Sequence, residues 1–130
     1  MDERTEQASK ILGRLGAEVM EVLWSAGEPI TVRMALERLN EGRAEPLAYT
    51  TVMTVLARLA ERGAAKRTAA GRGYRYEPAV ADAAELAVRN VVRDHGEAAV
   101  AHFVDQARAD PRLLRRLEQL LDGPAQQGDP

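Results

Sequence analysis

The sequence predicts a mainly α-helical protein, a winged helix-turn-helix DNA-binding domain followed by a C-terminal α-helical dimerisation domain. Three observations carry that prediction. Leu47 to Gly63 has apolar residues at helical spacing on one side and short hydroxyl side chains on the other. Directly after it, residues 64–78 hold two short alternating runs joined at Gly71 and Gly73, the pattern of a β-hairpin ended by Pro78. Beyond residue 80 come three helical stripes that are too short to make an independent core.

The elements follow in order. Residues 1–11 are polar and expected to fray, as the ends of a chain commonly do. Leu15 to Trp24 form the first helix, with Leu15, Val19, Val22 and Leu23 inside and Ala26-Gly27 as its stop; Trp24 belongs to that helix's core contacts. Glu28 to Thr31 is an extended link in which Ile30 is placed to add a third strand to the wing. Thr31 is positioned to cap a second helix, Val32 to Asn40, that buries Val32, Ala35, Leu36 and Leu39. Residues 41–46 form the turn. The third helix buries Val52, Val55, Leu56 and Leu59, at i, i+3, i+4 and i+7, and Gly63 is its left-handed stop. Residues 12–79 thus supply the inventory of a winged helix.

The outward side of the third helix holds Tyr49, Thr50, Thr51, Met53 and Thr54 in its first two turns. A recognition helix needs that arrangement, because its N-terminal residues reach base edges while its N-terminal dipole favours phosphate. A threonine hydroxyl bonds a phosphate or a base edge, and its methyl touches the thymine methyl. Three threonines in five positions weaken a helix, so something other than local stability holds them there. The alternative is an ordinary amphipathic helix with a polar exposed face. Charge separates the two. Residues 48–78 carry a net charge of +4, with Lys66, Arg67, Arg72 and Arg75 on the wing, while the rest of the chain carries −6. Basic charge confined to one surface suits phosphate contact, and a total of −2 argues against an indiscriminate, histone-like binder.

The last third differs in kind. Asp82 and Glu85 resemble a capping box opening a helix to about His95, with Leu86, Val88, Val91 and Val92 apolar. Gly96 breaks it. Glu97 to Ala109 carries Val100, Phe103, Val104 and Ala107, and Asp110-Pro111 opens a helix with Leu113, Leu114, Leu117, Leu120 and Leu121. These stripes need cover, and a second copy of the chain is the simplest partner. The expected homodimer contacts are Leu86, Val91, Val100, Phe103, Val104, Leu113, Leu117 and Leu120; folding back on the chain's own winged helix is the alternative. A two-fold dimer places two recognition helices on the half-sites of a palindromic operator in double-stranded DNA. Residues 80–122 are therefore assigned to dimerisation and 123–130 to a polar tail.

Other chemistry is poorly supported. With no cysteine, disulfides and thiolate metal sites are excluded. His95 and His102 have no carboxylate in a zinc-ligand pattern, and there is neither a phosphate-binding glycine loop nor a nucleophile elbow. No cofactor, metal or catalytic residue is expected, and the chain is not read as an enzyme. No apolar run is long enough to span a bilayer, so no membrane insertion is expected. The acidic start is unlike a signal peptide, so a cytoplasmic location is expected.

The run Leu15-Gly-Ala-Glu-Val-Met-Glu-Val-Leu-Trp24, the block Ala48 to Gly63, the wing Gly71-Arg-Gly-Tyr-Arg-Tyr76 and Val100-Ala-His-Phe-Val104 closely resemble the BlaI/MecI penicillinase-repressor family over about residues 12–121. The resemblance implies a homodimeric winged-helix repressor on a dyad operator, often built from TACA and TGTA elements, that shuts off β-lactamase or related genes. It also implies, where the circuit is complete, a membrane sensor-protease whose signal ends in cleavage of the repressor. By position, Thr50, Thr51, Met53 and Thr54 would face the major groove, and Arg72 and Arg75 would lie on the wing. Some members have a basic residue where Met53 stands. The cleaved bond would be His102-Phe103, with His in place of the Asn of cleaved members. The related copper-responsive repressors carry a C-terminal cysteine-rich metal site, and this chain has none. Two other functions compete: a small-molecule-responsive regulator of the multiple-antibiotic-resistance (MarR) type, for which the N-terminus looks short, and a winged-helix protein-interaction module without DNA binding.

Overall fold

Apolar spacing in the first 88 residues drives three helices and a small sheet onto one core. The computed structural model describes residues 3–123. Its elements are α1 (Glu3–Ala26), β1 (Ile30–Thr31), α2 (Val32–Asn40), α3 (Tyr49–Glu61), β2 (Ala65–Ala70), β3 (Gly73–Pro78), α4 (Ala83–His95), α5 (Glu97–Arg108) and α6 (Pro111–Asp122). The chain divides into two units after Val88.

In the first unit, Val19, Met20 and Leu23 of α1 meet Val32, Ala35 and Leu39 of α2 and Val52, Leu56 and Leu59 of α3. Truncating Met20, Leu23, Leu39, Leu56 or Leu59 to Ala removes roughly 2–5 kcal/mol. The sheet has the order β1-β3-β2, all antiparallel, with Ile30 opposite Tyr76 and Arg67 opposite Tyr76 on the other side. Ile30 does supply the third strand, and it and Tyr76 close the core from the sheet side. Thr31 caps α2, its Oγ1 accepting from the Met34 N–H at 3.1 Å. Past Glu61, Gly63 sits at φ +83°, and the Ala64 N–H donates to Leu59 O at 2.9 Å while the Gly63 N–H donates to Ala60 O at 3.2 Å. That is a Schellman stop, and it turns the chain directly from α3 into the wing. The wing turns at Gly71-Arg72; Gly71, at φ +63°, takes the first turn position, where a tight two-residue hairpin needs glycine.

Two boundaries differ from the sequence reading. Residues 3–11, expected to fray, are helical, and α1 runs on through a break at Gly13. Thr5 and Ala8 are buried, Thr5 Oγ1 donates to Glu21 Oε2 at 2.9 Å, and the Arg4 guanidinium lies 4.3 Å from the centre of the Trp24 ring. Thr5, Ala8 and Leu12 fall at helical spacing, but two are too small to register as an apolar stripe. The second difference is the division itself, expected at residue 79 and found after Val88. Val80, Ala83 and Leu86 pack into the first unit, and the Trp24 Nε1–H donates to Val80 O at 2.9 Å. The tail expected from residue 123 lies, beyond Gly123, outside the described residues.

The start of α4 bears out the capping box in a shifted form. Asp82 accepts from the Glu85 N–H at 2.9 Å, and Glu85 accepts from the Ala81 N–H at 2.7 Å. In the second unit α5 packs on α6, burying Ala107, and Asp110 caps α6 with Pro111 in its first turn. Val91, Val92, Val100, Phe103, Leu113, Leu120 and Leu121 are exposed.

Candidate nucleic-acid interface

α3 turns Val52, Leu56 and Leu59 inward and leaves Tyr49, Thr50, Thr51, Met53 and Thr54 exposed. Every threonine hydroxyl on this helix therefore lies on the solvent side, a requirement that a helix sealed against its own protein fails. The helix is capped by Ala48, which offers no side-chain acceptor. The Thr51 N–H already donates to Ala48 O at 3.1 Å, and the N–H groups of Tyr49 and Thr50, together with the positive end of the helix dipole, face outward to an external anion.

Between α3, the start of α2 and the wing runs an open groove of about 830 Å³. Tyr49, Met53 and Thr54 line it from α3, and Arg67, Arg72 and Tyr74 from the wing; Thr50 and Thr51 lie outside the lining. Strand alternation explains which wing cations arrive. Arg67 and Tyr74 share the face of the sheet that carries buried Tyr76, whereas Lys66 and Arg75 fall on the opposite face. The four expected wing contacts thus do not form one set: Arg67 and Arg72 join the groove, and Lys66 and Arg75 stay exposed on the far side. Arg67 lies 4.4 Å from the Tyr74 ring centre, and Tyr74 meets Tyr76 edge to face at 6.4 Å. Hydrogen bonding to Tyr76 pushes the Arg67 pKa above its already high usual value, so it is a permanent cation.

Arg33, Arg58 and Tyr74 also line the groove, and sequence reasoning had not picked them as contacts. Arg33 follows the Thr31 cap by two residues, which is the signal that places it at the start of a helix bordering α3. Among the described residues, none of Arg33, Arg58, Arg67 and Arg72 forms an ion pair, while Arg43 pairs with Glu18 at 3.0 Å and Arg4 with Glu21 at 3.8 Å elsewhere. One acid, Glu61, enters the groove lining. The groove is an electropositive trough with open donors, suited to a phosphate chain.

Leu86 requires a correction. Expected at a dimer contact, it is 1% exposed and belongs to the core of the first unit, because the capping box sets α4 with Leu86 facing inward. Of the other residues expected there, Val104 and Leu117 are half-buried and the rest are exposed. His102 and Phe103 are exposed in the middle of α5. Among the described residues no group of three or more His, Cys, Asp or Glu side chains gathers to hold a metal ion, and no helix is long and apolar enough to cross a membrane.

Three helices in this order, a following antiparallel wing and an exposed hydroxyl-faced third helix define a winged helix-turn-helix transcriptional regulator. Residues 12–123 match the penicillinase repressor family. The transcriptional regulator BlaI of Mycobacterium tuberculosis, in strains CDC 1551 and H37Rv alike, is 42% identical over 122 residues, covering 86% of each chain. Among solved structures, the ferric uptake regulator Fur of Helicobacter pylori is similar at a TM-score of 0.50 and 17% identity, over 73% of this chain and 79% of that one, a likeness of fold alone. The chain belongs to the penicillinase repressor family and is a transcriptional repressor of that family.

Proposed function

We propose that this repressor acts as a homodimer on a palindromic operator in double-stranded DNA, with α3 in the major groove. Thr50, Thr51, Met53 and Thr54 face base edges, and Arg67 and Arg72 take phosphates along the trough. The single observation that carries this is the outward, hydroxyl-bearing start of α3, with no side-chain cap, beside four arginines that have no ion-pair partner among the described residues. The apolar side chains left open on α4 to α6 support a second copy as the cover, through Val91, Val100, Phe103, Val104, Leu113, Leu117 and Leu120. The genes under control are β-lactamase or related antibiotic and cell-wall-response genes, by kinship with the regulators it resembles.

Release is proposed to follow cleavage at His102-Phe103 by a membrane sensor-protease. Phe103 is 54% exposed, which leaves its side chain open to recognition, but the bond lies inside α5, so the helix must open locally first. Selecting bound fragments from random duplex DNA tests the central reading: a palindrome is expected, and a half-site without symmetry overturns the dimeric arrangement. Sedimentation of Leu120→Asp is expected to show monomer. An unchanged dimer would remove α6 from the interface.

A further inference from the structure

We propose that Arg33, at the start of α2, is a phosphate-binding residue of this interface, and that the Tyr49 ring holds its guanidinium ready for that contact. The inference rests on the DNA-binding reading above and deepens it. Arg33 belongs to neither the recognition helix nor the wing, yet it lines the same trough as Met53, Arg67 and Tyr74. Its guanidinium carbon lies 5.5 Å from the centre of the Tyr49 ring, and Tyr49 is 41% exposed. A ring face attracts the charge without taking hydrogen bonds, so it restrains a long side chain and leaves its N–H donors open. Among the described residues no carboxylate pairs with Arg33, in contrast to Arg4 and Arg43 away from the trough.

The same device stands across the trough, where Arg67 lies over Tyr74. Two guanidinium groups without ion-pair partners among the described residues, each held by a tyrosine face, therefore border one open channel from α2 and from the wing, with α3 between them. A solvated surface arginine needs no such restraint. A phosphate contact gains from it, because the side chain loses less freedom when the anion arrives. This gives Tyr49 a positioning task through Arg33, distinct from the base-facing one assigned to the threonines.

The test uses the full chain and a mixed-sequence duplex of roughly three helical turns, titrated over a series of salt concentrations. Arg33→Ala is expected to bind roughly tenfold more weakly at low salt, the loss of one charge-assisted hydrogen bond. It should also flatten the plot of log affinity against log salt by about 0.9, the loss of one phosphate contact. Arg33→Lys keeps the slope, because the charge remains. Tyr49→Leu, which removes the ring but no charge, weakens binding without changing the slope. A partly unfolded preparation lowers apparent affinity but not the slope, so the slope decides. Arg33→Ala with the wild-type slope overturns this assignment and leaves the DNA reading standing. Wild-type chain that binds no duplex overturns both.

Discussion

Asn40 grips the backbone of Leu47 with both ends of its side-chain amide: Oδ1 accepts from the Leu47 N–H at 2.8 Å, and Nδ2 donates to the Leu47 carbonyl at 3.2 Å. The last residue of α2 thereby fixes where the chain must be just before α3 begins. Asn40→Ala is expected to lose about 1–2 kcal/mol of stability, the worth of two partly buried hydrogen bonds. Affinity for duplex DNA should fall further than the melting shift accounts for, because α3 loses its set position against α2. Melting curves and duplex titrations on one preparation check both, and equal losses would make Asn40 a stability residue alone.

Thr51 is exposed on α3, so its replacement disturbs no core. Thr51→Ala is expected to leave thermal stability unchanged or raise it slightly, because alanine is the better helix former. On a selected site it should cost about 1–3 kcal/mol while binding to mixed-sequence DNA barely moves. Parallel losses on both duplexes would mean that the hydroxyl contacts phosphate and reads no base.

Glu61 is the acid among the basic residues of the trough. Glu61→Gln is expected to strengthen binding to every duplex by a similar factor, mainly through faster association, and the gain should shrink as salt rises. Stopped-flow association at low and high salt checks this. A gain that depends on sequence would instead point to a base contact by Glu61.

Leu86 is sealed in the first unit, so Leu86→Ala is expected to cost about 2–5 kcal/mol of stability. The dimer should persist wherever the protein stays folded. Sedimentation below the melting range tests it, and a folded monomer would return Leu86 to the subunit contact.

The helices of the first unit were legible because their apolar positions repeat at helical spacing, and the third strand was legible because Ile30 falls in the short extended link between the first two helices. The Thr31 and Asp110 caps were read from residue type, and both form. The helix at residues 3–11 was missed because its packing rests on Thr5 and Ala8 and on Arg4 over Trp24, contacts that carry little hydrophobic signal. Leu86 was grouped with Val91 because one helix carries both, and periodicity does not say which end of a helix enters which unit. The wing arginines were counted as one set because a charge tally is blind to strand faces; the register of β2 against β3 separates them.

The hydrogen bond from Trp24 to Val80 has a practical consequence. As the sole tryptophan of the chain, Trp24 makes emission a private reporter of the first unit, sensitive to the seam where the N-terminal helix, the strand exit and the opening of α4 converge. Far-ultraviolet dichroism, by contrast, sums over all six helices of the described chain. Midpoints that differ between the two signals would reveal the units melting separately, with no label added.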